Sequence, residues 1–429
     1  MRTQFIKNLS SIAKTPARRD ALSIIEAGLK AVRTDLAIRA KLKLKGNVLV
    51  AGRRKYDLKK FKHVYVVGFG KASHAAAAEL EKMLGSKISG GIVLGTVGGK
   101  LKRIRTLVGT HPLPSMRNIS ATGEIMAMIK KADSNDLIIA VVSGGGSALL
   151  CRPSGVKCDE LAFITKTLMR CGAEISEENI VRKHLSEILG GQFARLAYPA
   201  TVLGLVFSDV PGDDIGTVAS GPTIMDTTTV EDAARVLAKY DIIKSCSLPD
   251  CDLAETPKDP VFFRRVHNML VVSNGAALAA MKAKAKALGY RARILSKSLQ
   301  GEARSVGGKL AIMPFPGEAV IAGGETTVTV AGRGRGGRNQ ELALGALKHI
   351  VDGTVVVSCN SDGQDNGPAA GGIADLKTKE AAKRLGLSSD AYLAKNDSFP
   401  FMKKTGSQIL TGPTGINISD LMLALRKKI

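Results

Sequence analysis

The sequence predicts an α/β protein of two parts, each a mostly parallel sheet flanked by helices. Three observations carry that expectation. A chain of 429 residues that is 45% hydrophobic is long enough for two or three cores and too apolar to stay disordered. A short β-rich run, a Gly or Ser turn and then residues at helical spacing recur together at least five times, as alternating strands and helices require. Residues 245–260, SCSLPDCDLAETPKDP, break this periodicity with three prolines and mixed charge, which sets the domain boundary there and gives parts of residues 1–250 and 251–429.

The elements follow in chain order. The first nineteen residues, MRTQFIKNLSSIAKTPARR, lack acids and read as a basic N-terminal helix rather than an organellar transit peptide. HVYVVGFG (63–70) is a strand entering a turn, and KASHAAAAELEKML (71–84) a helix with Ala76, Leu80, Met83 and Leu84 on one face. DLIIAVV (136–142) leads in the same way to SGGGSALL (143–150). CDELAFITKTLMRCGA (158–173) and SEENIVRKHLSEILGG (176–191) both read as helices. The second turns Val181, Leu185, Ile188 and Leu189 inward and stops at Gly190-Gly191, leaving Arg182 and Lys183 on a solvated face. MLVVSNG leads to AALAAMKAKAKAL; AVIAGGETTVTV (319–330) leads through GRGRGGR to NQELALGALKHI; and SQILTGPTG leads to INISDLMLALRKK, residues 416–428, read as a helix. In such folds ligands sit beyond the C-terminal ends of the strands, where these turns lie.

A net charge of +24 favours anionic partners, whether nucleotides, small acids, nucleic acid or an acidic membrane face. Lys and Arg are spread along the chain, and with 4% aromatics and no Trp platforms for stacking single-stranded nucleic acid are poorly supplied. The six cysteines, at 151, 158, 171, 246, 251 and 359, form no CxxC pair and have no histidine at zinc-like spacing, so they read as reduced thiols of an intracellular protein. No apolar run approaches the roughly 18 residues of a membrane span. A soluble, cytoplasmic protein is expected.

GRGRGGR, Gly332 to Arg338, suits an anion. Glycines let backbone N–H groups approach a ligand, the following helix N-terminus carries partial positive charge, and Arg333, Arg335 and Arg338 add fixed forks. A flexible solvated hairpin is the alternative. Lys71 follows Gly68-Phe69-Gly70 directly after a strand, where an ammonium can grip phosphate beside backbone donors; an ordinary surface lysine is the alternative. Ser143, Gly144, Gly145, Gly146 and Ser147 form a backbone nest with two hydroxyls, suited to phosphate or carboxylate. Neither a Walker A loop nor a GxSxG elbow is present, and His111 reads as a turn residue or a hydrogen-bonder to substrate. The acidic turns SDVPGDD, with Asp209, Asp213 and Asp214, and NSDGQDNG, with Asp362 and Asp365, suit Mg²⁺, which needs one or two carboxylates plus phosphate oxygens; Asp-Gly turns also arise for conformational reasons alone.

Taken in order, VVGFGKAS, GTHPLP, SGGGSALL, NIVRKHLSEILGG, SDVPGDDIGTVASGPT, GGETTVTVAGRGRGGRNQE, SDGQDNGPAAGGIAD and TGPTGIN resemble the glycerate 2-kinases whose C-terminal half is called the MOFRL domain. The resemblance covers essentially the whole chain. It implies a Rossmann-like domain over 1–250, a MOFRL domain over 251–429, and an active site in the cleft between them. The implied reaction is ATP- and Mg²⁺-dependent phosphorylation of D-glycerate at its 2-hydroxyl, a regiochemistry that rests on the resemblance alone. Lys71 and Arg338 carry over as catalytic candidates. Gly68, Gly70, the Ser143–Ser147 turn, Gly323, Gly324, Glu325, Arg335, Gly336 and Gly337 carry over to substrate and phosphate, and Asp209, Asp213 and Asp362 to the metal. The partners implied are D-glycerate and ATP, with no specific nucleic acid, no membrane, and a homodimer as one oligomeric option. The competing reading is an NAD(P)H-dependent hydroxypyruvate reductase. Against it, the GFGKAS turn has Ser73 where the dinucleotide fingerprint needs a third glycine, and GGIVLGTVGG offers no ribose-binding acid.

Overall fold

The computed structural model describes residues 4–210, 214–242 and 252–428. They form two compact units whose division differs from the expected one at residue 250. One unit takes the chain up to Leu36, Asp209 and Val210, and everything from Val272 onward; the other takes Ala37–Ser208 and Asp214–Val271. The proline-rich break is a change of composition rather than of partner, because the strand after it returns to the first sheet. Residues 243–251, with Cys246 and Cys251, lie outside the described residues, as does Asp213.

In the unit spanning 37–271, β1 (Leu42–Lys45), β2 (Val48–Ala51) and β3 (Arg54–Asp57) make a small antiparallel sheet. The main sheet holds β4 (His63–Phe69), β5 (Gly90–Gly95), β6 (Ile104–Val108), β7 (Asp136–Ser143), β8 (Thr201–Phe207) and β9 (Val266–Val272) in the order β6-β5-β4-β7-β8-β9. The pairs from β6 across to β8 are all parallel. All eight residues of β7 and all seven of β8 are buried, the mark of strands covered on both faces. Helix Ser73–Leu84 follows β4 and buries Ala76, Ala77, Leu80 and Leu84. The chain runs from β4 outward to β6, then returns to lay β7 on the other side of β4. Between β4 and β7 lies a topological switch point, where the turns leaving adjacent parallel strands diverge and open a crevice.

The expected helix over 176–191 is shorter in the structure. It spans Ile175–His184, and Gly191 instead caps the N-terminus of a further helix, Gln192–Ala197. Val181, Leu185, Ile188 and Leu189 are nonetheless all buried.

The other unit carries β10 (Arg291–Leu299), β11 (Glu318–Gly324), β12 (Thr354–Asn360), β13 (Gly371–Ala374), β14 (Gln408–Ile409) and β15 (Asp420–Arg426) in the order β10-β11-β15-β12-β13-β14. Only β10 and β11 pair in parallel; the remaining neighbours are antiparallel. This sheet is therefore mixed rather than mostly parallel, because the segment expected to be a closing helix is β15, which inserts antiparallel between β11 and β12. Residues Asp420–Leu425 are all buried. A strand covered on both faces reads as a continuous apolar run, which periodicity alone does not separate from a short buried helix. The strand expected over 319–330 likewise ends at Gly324.

Helix Pro16–Ala31 begins at Thr15, whose side chain accepts from the Arg18 amide, and packs on this second sheet. Gly28 lets the helix approach so closely that a Cβ there would stand 2.8 Å from Met281 Cγ and 3.3 Å from Leu421 Cδ1. Arg18 is buried and bidentate to Asp375, at 2.5 and 2.7 Å, and donates to Thr378 Oγ1 at 2.8 Å. Asp375 in turn caps helix Leu376–Arg384. Removing one partner of a buried pair strands the other charge. Arg18→Ala should thus cost about 3–5 kcal/mol, read as a lowered urea midpoint; an unchanged midpoint would show that the helix is not anchored by this pair.

Candidate active site

The turns leaving β4 and β7 meet at the switch point. Gly70, at φ +105°, lets its backbone lie directly on Ser143; a Cβ would stand 2.2 Å from Ser143 Oγ. That hydroxyl donates to Phe69 O at 3.1 Å and accepts from the Ala72 amide at 3.1 Å, while the Lys71 amide donates to Gly144 O at 2.9 Å. Ser143 therefore clips two turns together, with its proton used inside the protein. Lys71 itself is exposed. A Cβ on Gly145 would lie 3.0 Å from His111 Cδ2 and 3.4 Å from Lys71 Cε, so the lysine stem, the imidazole and the nest converge. Burial, and then the Lys71 ammonium, hold the His111 imidazole below its ordinary pKa, favouring a neutral ring at pH 7.

Sequence reading missed the groups that support this nest. Asn118, fully buried in helix Met116–Lys130, accepts from the Thr110 amide at 2.9 Å and donates to Thr110 O and Ala148 O at 3.0 and 2.9 Å. It thereby ties the His111 loop to the SGGGSALL segment. Ala219, Ser220 and Gly221 take left-handed φ values of 52°, 55° and 58° in succession, costing about 1–2 kcal/mol at each non-glycine residue. The strain has a use: a Cβ on Gly146 would stand 2.5 Å from Ala219 Cβ, and Ser220 Oγ lies 2.8 Å from Ser147 Oγ. Three consecutive left-handed residues, two of them not glycine, give little local signal in a sequence.

Arg182 and Lys183 are not on a solvated face. Lys183 Nζ donates to the buried Asp226 at 2.9 Å. Burial alone would raise the Asp226 carboxyl, but the Lys183 ammonium and the Thr228 hydroxyl outweigh it and hold the group below its ordinary value. Arg182 Nη2 faces Glu178 at 3.3 Å and Nη1 faces Asn179 Oδ1 at 3.1 Å. Burial pushes the Glu178 carboxyl up and works against the Arg182 charge.

In the second unit the arginine loop is built around two buried carboxylates. Asp365 accepts from the amides of Asn339 and Gln340, at 3.0 and 2.8 Å, and from both their side chains. The N-terminus of helix Arg338–Ala346, which the sequence offers to a ligand anion, thus already holds an anion of the protein's own. Gly337 is required for this, since a Cβ would stand 2.3 Å from Asp365 Oδ1. The loop's backbone donors are also engaged: Gly332 N with Asn396 Oδ1, Gly334 N with Lys395 O and Arg335 N with Asp397 Oδ1. Arg333 and Arg335 are exposed, the latter with its guanidinium over the Phe399 ring. A Cβ on Gly336 would strike Ser398 Oγ, and Gly323 and Gly324 lie against Asn274 and the Leu299 backbone.

Arg338 is held on two sides. Its Nε and Nη2 donate to the fully buried Asp420 at 2.7 and 3.1 Å, and Nη1 pairs with Glu325 at 2.5 Å. Burial opposes the guanidinium charge, but Asp420 more than offsets it. Asn339 Nδ2 joins Asp420 to Asp365, at 2.9 and 3.2 Å. Asp209 Oδ2 accepts from Asn417 at 3.2 Å, and Asp362 O accepts from the Thr414 amide at 3.0 Å while its carboxylate accepts from Gln364 N at 2.8 Å. Among the described residues no three His, Cys, Asp or Glu side chains group as a metal site, and no helix is long and apolar enough to cross a membrane.

These features define a doubly wound α/β unit with a lysine-bearing crevice, joined in sequence to a mixed-sheet unit that presents a carboxylate-braced arginine. Residues 20–250 match the domain of unknown function DUF4147, and residues 318–420 match the MOFRL family. A D-glycerate 2-kinase of Thermotoga maritima is 37% identical over 425 residues, which cover 94% of this chain and 97% of that protein. A crystal structure of a Thermotoga maritima glycerate kinase superposes with a TM-score of 0.83 at 35% identity, covering 95% of this chain and 99% of that one. An Agrobacterium vitis protein named provisionally as a hydroxypyruvate reductase is 37% identical over 384 residues, 84% of this chain and 86% of that protein. The chain belongs to the MOFRL family of two-part proteins that includes these glycerate 2-kinases.

Burial lifts the Asp420 carboxyl from 3.8 to about 6, against the pull of Arg338. Between those values the folded protein keeps a proton that the unfolded chain releases, so this group's contribution to stability falls as pH rises through the window. Asp420→Asn removes that titration. The stability of the variant relative to the wild type should therefore increase from pH 4 to pH 6 in urea denaturation, and a constant difference would contradict the assignment.

Proposed function

We infer that this protein is a glycerate 2-kinase, transferring the γ-phosphoryl group of ATP to the 2-hydroxyl of D-glycerate. The observation that carries the reading is Lys71, set beside a glycine nest at the switch point of a chain related over nearly its whole length to a D-glycerate 2-kinase. In phosphoryl transfer the protein mainly positions reactants and stabilises charge on the equatorial oxygens, so fixed cations matter more than a strong base. Lys71 and Arg338 are proposed to bear on the transferring group. The clip at Ser143 sets the turn from which Lys71 projects, and Asp420 and Glu325 fix the direction of the Arg338 fork. The glycines of the nest keep backbone donors close to anionic oxygens.

A Mg²⁺ ion fits as a companion of the nucleotide rather than as a caged metal. Asp209 and Asp362 both flank the 411–417 loop through Asn417 and Thr414, and one or two carboxylates suffice when phosphates and waters supply the rest. The carboxylates of Asp365 and Asp420 are engaged by N–H donors and are not proposed as ligands. Such an ion would neutralise phosphate charge.

The reductase reading keeps two relatives by name. It meets two obstacles in this chain: Ser73 stands at the third glycine position of the dinucleotide turn, and β5 ends at Gly95 with Thr96 and Val97 following it rather than an acid.

Mixing the protein with Mg-ATP and D-glycerate should give a product that enolase uses directly. NADH and hydroxypyruvate should leave absorbance at 340 nm unchanged; a fall there would favour the reductase. Lys71→Ala and Arg338→Lys should each lose roughly 10²–10³-fold in kcat with an unaltered near-ultraviolet CD spectrum. Near-normal turnover in either variant would remove that residue from the mechanism.

A further inference from the structure

The hydrogen-bond chain behind the nest has a direction, and the direction decides what Ser147 can bind. A guanidinium carries donors only. The Asn179 atom 3.1 Å from Arg182 Nη1 must therefore be the amide oxygen, Oδ1. That same oxygen lies 2.8 Å from Ser220 Oγ, so Ser220 spends its single proton on it. Ser220 Oγ can then only accept from Ser147 Oγ, 2.8 Å away. The proton of Ser147 is thus drawn inward, and the face of its oxygen turned away from Ser220 holds lone pairs alone. Arg182 cannot lose its charge at physiological pH and is braced by Glu178, so the polarity does not reverse.

We propose that Ser147 is a specificity-determining residue that accepts a hydrogen bond from a hydroxyl of the substrate, with Ser220, Asn179 and Arg182 as positioning residues that set its polarity. Phosphate and ionised carboxylate oxygens carry no hydrogen to donate. Ser147 therefore does not take the phosphate role that its place in a glycine nest implies; the alcohol of a small hydroxy acid is the group it suits. Ser147 is half-buried two residues beyond Gly145, against which the Lys71 stem and His111 pack, so a hydroxyl held there stands at the switch-point crevice. The strained backbone at Ser220 has a matching purpose, since the left-handed turn brings its hydroxyl between Ser147 and Asn179. The ligand class rests on the glycerate kinase reading, whose substrate carries two hydroxyls and a carboxylate.

The test is calorimetric binding of D-glycerate, D-lactate, which lacks the 3-hydroxyl, and 3-hydroxypropanoate, which lacks the 2-hydroxyl, combined with steady-state kinetics. Ser147→Ala should weaken D-glycerate binding about tenfold, the equivalent of one hydrogen bond, and leave the KM for ATP unchanged. One of the two deoxy compounds, the one missing the hydroxyl held by Ser147, should bind wild type and variant alike. Asn179→Asp keeps an oxygen acceptor facing Ser220 and should retain wild-type discrimination between glycerate and that deoxy compound, whereas Asn179→Leu should lose it. A Ser147→Ala variant that raises the KM for ATP, or that penalises both deoxy compounds equally, would overturn the proposal. A wild-type protein that neither binds nor phosphorylates D-glycerate would instead overturn the functional reading and remove the basis for the ligand class.

Discussion

The contact between Gly70 and Ser143 constrains everything that happens at the end of the first sheet. Parallel strands β4 and β7 are neighbours, yet the chain leaves them in opposite directions, and the two departing turns must share a space too narrow for a side chain at position 70. Glycine at φ +105° resolves the conflict, and the Ser143 hydroxyl then bridges the Phe69 carbonyl and the Ala72 amide. Lys71 is placed as a result. Its amide is bound to Gly144 and its Cε lies over Gly145 of the nest, so a flexible side chain starts from a fixed point.

The second unit achieves fixity by a different route. Rather than leaving a helix N-terminus open, it fills that terminus with Asp365 and lays Asp420 beneath the first residue of the helix. Two carboxylates in a largely dry interior are costly unless every oxygen is satisfied. Asn339 and Gln340 supply most of the required donors, and Arg338 supplies the rest along with a compensating charge. The guanidinium retains one edge toward Glu325, a half-exposed partner, so the residue is oriented from within while one side stays accessible.

Much of this was legible in the sequence, and the reasons for the rest are physical. Strands followed by glycine turns located Lys71 and the Ser143–Ser147 nest, because a turn leaving a parallel strand needs backbone freedom that few residues offer. The arginine loop is recognisable by its composition, but its glycines admit Asp365, Ser398 and the Lys395 backbone, and no local pattern announces partners that stand from nearly thirty to more than sixty positions away. Lys183 looked solvated for the same reason, as its carboxylate stands 43 residues downstream. The β15 segment reads as a helix in the sequence because a short apolar run fits both periods, and only the strands on either side of it decide.

The placement of β15 bears on how the chain is made. Residues 420–426 lie in the middle of their sheet, hydrogen-bonded to β11 on one side and β12 on the other, and helix Pro16–Ala31 rests on the same layer. During vectorial synthesis the main sheet from β4 to β9 can assemble as soon as residue 272 has emerged from the ribosome. The other sheet must keep a vacant slot open between β11 and β12 until residues 420–426 have followed. Nascent chains halted before residue 420 would leave the facing edges of β11 and β12 unpaired, which makes the closing strand a keystone and its absence an exposure of open strand edges.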